Sequence, residues 1–481
     1  MRRLAFVLLA AACAPATYEA PTPKWVDDTT SIEPKGPTPI ADRYREVAAT
    51  IIDTARKDRG AYKKLSELTD KVGNRLSGSP ALDKAILWAA QTMQADGLDV
   101  RTEKVMVPHW WRGTEMASVV SPVARDLHVL ALGGSVSTPV GGMTAPVVVV
   151  HDWAELDTKR EQIKGAIVVY NVPMPAYSEE EGSGYGKTVE YRMEGASQAA
   201  KRGAICALVR SVTAHSLRSP HTGAMHYDPA QPRIPTAAIS VEDAELIDRL
   251  AEKGPVNLYV RLDTQQLPDA ESANVIGELR GREKPDEVVV IGAHIDSWDV
   301  GQGAQDDGAG VVTMMQALAT LKQLGLTPRR TIRVVLYTNE ENGVRGGKTY
   351  AEQHAGELGK TVLALESDSG GFPPVGFTVG HKDSDAGARA RTRIADIASL
   401  LHEVGATTVK AGGGGTDISP MQASGVPQVG LSVDGKTYFD YHHSEADTLD
   451  KVQPQDLADM VAAAAVLAYV VADMPDRVDA P

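Results

Sequence analysis

The sequence predicts an α/β protein carrying a second, strand-rich unit, and three observations lead there. After Asp263, apolar β-branched runs at 287–291, 331–338, 361–365 and 428–433 alternate with helical stripes, the pattern of a largely parallel sheet with helices on both faces. Between Pro122 and Leu262 the character changes to short Val- and Ile-rich runs separated by turns, as in a β-rich unit. The length of 481 residues exceeds what one compact core organises, so about two domains are expected.

At the start of the chain, Arg2 and Arg3 precede an apolar run from Leu4 to Ala12. That run is too short to span a bilayer and suits the core of a signal peptide. Cys13 follows Leu9-Ala10-Ala11-Ala12, which resembles a bacterial lipoprotein processing site with Ala where Leu is more usual. The expectation is an exported protein, periplasmic or anchored to the membrane through a lipid on Cys13, or else secreted after ordinary cleavage. Six prolines between Ala14 and Ile40, with few large apolar groups, read as an extended tether. The remaining cysteine, Cys206, lies in the apolar stretch 204–209 and reads as a buried, inert thiol. With Cys13 lipidated or removed, no intramolecular disulfide is possible, so the fold rests on its core. A net charge of -14 argues against nucleic-acid binding, which needs basic surface.

The elements then follow in order. A helix is expected from about Asp42, with Tyr44, Val47, Ile51 and Ile52 on one side. After the turn-rich segment 73–79, a second helix follows Ser79-Pro80, with Leu87, Ala90 and Met93 spaced for a buried stripe, and Asp99 to Val107 reads as a strand. Strand-like runs occupy 145–150, 166–170, 205–209 and 256–262. Later helical stripes comprise Val311, Met315, Leu318 and Leu321, then Ile394, Ile397, Leu400 and Leu401, and an alanine-rich helix closes the chain from Leu457 to about Val471. The expected organisation is a signal peptide and tether over 1–41, a first catalytic part over 42–121, the β-rich unit over 122–262 and a second catalytic part over 263–475.

In a doubly wound sheet, ligands bind beyond the carboxyl ends of the strands, and here those ends carry potential metal ligands. The run 288–291 leads into His294 and Asp296, 334–337 into Glu340 and Glu341, and 362–365 into Glu366 and Asp368. Asp306 and Asp307 precede the helix beginning near Gly308, and His442 and His443 follow the last strand. Any one of these has a plainer reading, since an acid at a strand end is commonly a cap or a turn former. Several strand ends supplying such residues together are not explained that way. Two imidazoles with several carboxylates suit zinc, and a carboxylate between two imidazole-bearing halves can bridge a metal pair. Asp296, two residues past His294 on the same side of an extended segment, is expected to accept the imidazole N–H, or else to act as a turn carboxylate. Asp307 is placed to cap the following helix. If the strand continues through Glu340 and Glu341, the two point to opposite sides and one cannot easily do both jobs.

The segments 292–299, 305–310, 339–343, 366–370 and 441–444, with Asp447-Thr448, resemble the zinc exopeptidases related to bacterial leucyl aminopeptidase. Over 294–303 the carboxypeptidase Q-like branch is most similar, and the likeness runs over roughly 44–470. Within the β-rich block, Ile163 to Val169, Ala199 to Ala204 and Ile234 to Ile239 resemble a protease-associated domain. The resemblance implies a three-layer αβα domain with a mixed, mostly parallel sheet and an inserted protease-associated domain. It implies two zinc ions per chain bridged by Asp306, one also held by His294 and Asp368, the other by Glu341 and His443, with Glu340 as the base. It further implies a cis Asp306–Asp307 peptide and a substrate loop at Gly414, Gly415, Thr416 and Asp417, a run whose composition alone reads as flexible. Tyr438 is a candidate for steadying the tetrahedral intermediate, and His442 reads as a neighbour of the ligand His443. Trp110 and Trp111 are candidates for the cleft wall or for ordinary core packing. The activity implied is hydrolysis of short peptides from one end, dipeptides or amino-terminal residues, by a homodimer in the related enzymes. Two other classes share the architecture: glutaminyl cyclases, which transfer an acyl group with one zinc, and transferrin-receptor-type binding proteins, which should lack ligands or the base. None is lacking here.

Overall fold

The computed structural model describes residues 31–32 and 38–481; the expected signal peptide, the lipid site at Cys13 and most of the tether lie outside them. The first helix, Pro39–Lys57, begins inside the stretch read as tether, because proline in the first helical turn has no hydrogen bond to lose there. A helix at Gly60–Lys71 separates it from Pro80–Ala95. In the latter the buried stripe is Leu82, Ala85, Ala89 and Met93; of the expected set Met93 is buried and Ala90 packs partly against the core, but Leu87 is 58% exposed. Both stripes have helical spacing, and only packing against the sheet distinguishes them.

The first sheet has the strand order Asp99–Trp111, Gln265–Leu279, Arg330–Tyr337, Lys284–His294, Thr361–Glu366, Gln428–Val433, Pro374–Gly380 and Thr408–Ala411. The four strands from Arg330–Tyr337 to Gln428–Val433 run parallel, whereas the pairings of Asp99–Trp111, Gln265–Leu279 and Pro374–Gly380 with their inner neighbours are antiparallel. Alternation along the strands sorts side chains between two cores. Val289, Ile291, Val334, Leu336, Leu363 and Leu365 pack under Ala309–Gln323 and Pro454–Asp473. Val288, Val290, Val335 and Ala364 face Tyr350, Ala351 and Met421 on the other side. Helices therefore cover both faces. The helix Pro454–Asp473 is long and apolar enough to cross a membrane by composition, but 83% of its apolar window is buried in the protein, as a core helix should be.

The strand expected to end at Val107 continues past an irregularity at Pro108 to Trp111, where the chain leaves the first sheet; it returns at Gln265. In between, a second eight-stranded sheet has the order Arg125–Leu127, Glu115–Ser121, Asn257–Leu262, Met143–Val150, Ile167–Tyr170, Cys206–Arg210, Thr236–Ile239 and Val129–Ala131. Cys206 is fully buried there, and burial pushes its thiol up to about 12. The two sheets meet at Trp298, from the loop after His294, which inserts into the second sheet's core with Leu76 and Trp110. A Cβ on Gly133 would lie 1.9 Å from the Trp298 ring, so glycine is required for this fit. Arg112 reinforces the junction through a bidentate pair with Asp299 at 2.6 and 2.8 Å and an ion pair with Glu115 at 3.1 Å.

Candidate metal centre

Because the central strands are parallel, their carboxyl ends share one edge, and the expected ligands converge there. The Asp306 carboxylate stands between two groups. Oδ1 is 3.2 Å from His294 Nε2, which in turn is 3.4 Å from Asp368 Oδ1. Oδ2 is 3.3 Å from His443 Nε2, which is 2.9 Å from Glu341 Oε2. His442 stacks on His443 with ring centres 3.5 Å apart and brings its Nε2 to 3.7 Å from Asp306, so it is nearer the cluster than its reading as a neighbour required. Among the described residues, two sets of ligand atoms are close enough to share an ion: His294, Asp306 and Asp368, and Asp306, His442 and His443.

Backbone positioning explains this convergence. The Asp306–Asp307 peptide is cis. Asp447, whose carboxylate accepts the N–H groups of Ala304, Gln305 and Asp306, fixes the loop that carries it. Asp307 accepts from Gly310 N–H at 3.1 Å, as a helix cap does, and from His294 N–H at 3.2 Å. Fully buried Arg75 donates to the carbonyls of Ile295, Gln302 and Gly303, holding the loop between His294 and Asp306 from behind. Loop residues of the second-sheet unit hold the histidine pair: Thr222 N–H donates to the His443 carbonyl at 2.9 Å, His443 Nδ1 lies 3.3 Å from the Thr222 carbonyl, and His221 Nδ1 lies 2.6 Å from the His442 carbonyl.

Two expectations need correction. The partner of His294 Nδ1 is the Asp296 backbone carbonyl at 3.1 Å, while the Asp296 carboxylate stays 3.7 Å away. That carboxylate instead accepts the N–H groups of Glu340 at 3.0 Å and Glu341 at 3.3 Å. Nor does the strand continue through the glutamates. It ends at Tyr337, and Asn339, with φ of 66°, starts a turn. Their division is set by that turn and its Asp296 anchor: both line the cleft, but Glu341 reaches His443 and Glu340 does not. Burial, followed by the carboxylates of Asp368, Glu341 and Asp296, holds the Glu340 carboxyl well above its ordinary range, against the pull of His294.

The cleft beside the cluster encloses about 280 Å³ and is lined by Glu340, Asp368, Thr416, Tyr438, Phe439 and His442, with Tyr185 and Arg192 from the second-sheet unit. Of the loop at 414–417, Thr416 lines it. Gly414 packs on Ile418 and Gln428, and Asp417 is fully buried. Glu366 causes this by accepting the N–H groups of Asp417 and Ile418, which turns the loop inward. A Cβ on Gly415 would lie 2.3 Å from the Glu366 carboxyl carbon. Trp110 belongs to the second core, with its N–H on the Ser135 carbonyl, and Trp111 is 51% exposed. Arg75, Tyr185 and Arg192 are not legible as site residues in the sequence, because none is a metal-ligand type standing at the end of a parallel strand.

The donor set fits divalent cations. Burial opposes charge on His443, yet Glu341 and Asp306 push its pKa up to about 10. Glu341 Oε1 is buried without a hydrogen-bond partner, an orphan that a bound cation satisfies. Residues 274–468 match peptidase family M28. Carboxypeptidase Q of Mus musculus is 42% identical over 438 residues, covering 90% of each chain. The crystal structure of a peptidase M28 precursor from Shewanella amazonensis SB2B superposes with a TM-score of 0.85 at 38% identity, covering 91% of this chain and 98% of that one. BSAP, a zinc aminopeptidase from Bacillus subtilis, shares the fold with a TM-score of 0.62 at 22% identity, over 84% and 93% of the two chains. An imidazole–carboxylate cluster at the sheet edge and likeness over nearly the full length lead to one conclusion: the chain belongs to peptidase family M28 and is a metallo-exopeptidase.

Proposed function

We propose that the protein hydrolyses short peptides from one end with two zinc ions, one held by His294, Asp306 and Asp368 and the other by Asp306, Glu341 and His443. The observation that carries this reading is the Asp306 carboxylate, whose two oxygens face two separate imidazole–carboxylate sets. Bound there, the metal pair would supply Lewis acidity, lowering the pKa of a water and polarising the scissile carbonyl. Glu340, open to the cleft, takes a proton from the attacking water at its carboxylate and returns it to the leaving amine. Asp296 holds the turn that aims Glu340, and Tyr438 and Thr416 line the side where the peptide lies. The loop at Gly414, Gly415 and Asp417 shapes that wall from behind. We assign the second sheet to an inserted protease-associated domain, and export, with a lipid on Cys13 and a homodimeric assembly, completes the proposal.

Elemental analysis should count two zinc ions per chain, and unblocked dipeptides should be cleaved. A glutaminyl cyclase-like enzyme would carry one zinc and leave them intact. Glu340→Gln should keep both metals while turnover falls by about 10²–10⁴-fold, the worth of a general base. Loss of metal in that variant would reverse the roles of the two glutamates, and full activity would remove Glu340 from the mechanism.

A further inference from the structure

Two buried polar side chains behind the glutamate turn, Ser77 and Asn339, belong neither to the ligand set nor to the cleft wall. Ser77 comes from the turn-rich segment 73–79, and Asn339 is the residue before Glu340. Asn339 Nδ2 donates to Ser77 Oγ at 2.8 Å, and Ser77 Oγ lies 3.4 Å from Asp296 Oδ2. What each group can do fixes the direction of this chain. An amide nitrogen only donates, so Ser77 accepts from Asn339 and its single hydroxyl hydrogen is left for the Asp296 carboxylate. The Asn339 amide is oriented in turn, because its Oδ1 accepts from Arg345 N–H at 3.3 Å while Nδ2 also donates to Asn342 Oδ1.

Glu340 is thereby fixed on two sides. Its own N–H donates to Asp296 Oδ1 at 3.0 Å, and the residue before it is held at φ of 66°. Asparagine tolerates that left-handed region better than most residues, since its short amide can bond locally. A Cβ on Gly343 would lie 2.4 Å from Asn339 Oδ1, so the turn closes tightly around this side chain. Ser77 joins the two fixings, and it arrives from 262 residues away in the chain. Its segment is pinned to the same loop as Asp296, with Arg75 N–H on Ser297 Oγ at 2.9 Å and Asn74 Nδ2 on the Asp299 carbonyl at 3.1 Å. A general base has to stand within hydrogen-bond reach of its water, and a misplacement of about 1 Å can cost on the order of 100-fold in rate.

We propose that Ser77 and Asn339 are positioning residues for the base: joined to Asp296, they hold the Glu340 backbone so that its carboxylate faces the attacking water. This rests on the reading of Glu340 as the base and adds the groups that aim it. The chemistry stays with Glu340 and the metals.

The test uses the zinc-loaded enzyme with alanyl-leucine as substrate. Ser77→Ala should keep two zinc ions per chain and lower kcat and kcat/KM together by about 10–100-fold, the worth of an outer hydrogen-bond partner. KM should stay within about twofold of wild type, as for a group that acts only in the transition state. Asn339→Gly keeps the left-handed backbone available and removes only the side-chain ties, so it should behave alike. The double variant should be no worse than the more damaged single one, because both act through one chain of contacts. In a Glu340→Gln background Ser77→Ala should cost nothing further, since no base is left to aim. By mass spectrometry, amide exchange over 338–345 should quicken in Ser77→Ala while the strand Lys284–His294 keeps its protection. Wild-type kcat in either single variant overturns the proposal, as does a Ser77→Ala loss of the same size with and without the Glu340 carboxylate. A fully active Glu340→Gln enzyme defeats the base reading, and the proposal falls with it. A protein that cleaves no dipeptide defeats the two-zinc reading instead; exchange over 338–345 then still judges whether Ser77 holds the turn.

Discussion

The two halves of the metal centre are built by different means. His294 ends a central strand and Asp368 stands two residues beyond another, so the parallel ladder of the first sheet holds both. His443 lies on a loop well past the last strand, with φ of 60°, and depends on Thr222 and His221 of the second-sheet unit for its backbone contacts. One half is intrinsic to the first sheet, and the other is completed only when the second unit docks. A ladder of hydrogen bonds resists distortion more than a loop held by a few contacts does, so the His443 half is the one that perturbation at a distance should reach.

The largest effect is expected from removing the residue that both halves share. Asp306→Asn should lower the zinc content of the purified protein below one per chain and reduce activity by more than the roughly 100-fold that loss of an outer hydrogen-bond partner costs. Retention of two ions, measured by elemental analysis, would mean that the halves do not share this carboxylate.

A smaller and asymmetric effect is expected at the junction. Arg112→Ala leaves the partly buried Asp299 without its bidentate partner, and loss of hydrogen bonds to a charged group costs about 1.5–3 kcal/mol. In a chelator titration the variant should lose one zinc at a much lower chelator concentration than the other. Equal weakening of both sites would show that the junction does not discriminate between the halves.

The smallest effect lies far from both. His151 is set between Glu155 at 2.8 Å and Asp248 at 2.9 Å. Burial opposes its protonation, but the hydrogen bonds that its ring donates to Asp248 and Glu155 outweigh this and raise its pKa above 6.5. A raised pKa makes its contribution complete below the unfolded value and lost as pH climbs through the folded one. The Tm of His151→Ala should therefore trail wild type by on the order of 1 °C at pH 6 and match it at pH 9, with activity untouched. A gap that widens with pH would contradict this sign.

Much of the architecture was legible because periodicity and burial agree in the second half of the chain. Runs such as Val288–Ile291 are apolar at every position, as only a strand covered on both faces requires. The helix Pro80–Ala95 shows the opposite case: its sequence offers more than one apolar stripe, and of the one containing Leu87 only Met93 is fully buried, while Leu87 itself faces solvent. In the site, the ligands were readable as residue types at strand ends. The supports were not, since Arg75, Asp447 and Asp296 act through backbone groups whose positions no spacing rule specifies.

The sequence by itself determined which side chains stand at the carboxyl ends of the parallel strands, because strand direction and side-chain alternation are local properties written in apolar periodicity. Only the tertiary structure decided how Asp306 divides its two oxygens, why Glu340 and Glu341 part ways on a turn anchored by Asp296, and that Arg192 from the second-sheet unit enters the cleft. Those outcomes depend on contacts between segments far apart in the chain, which are set by how the sheets and loops pack and not by the residues flanking each position.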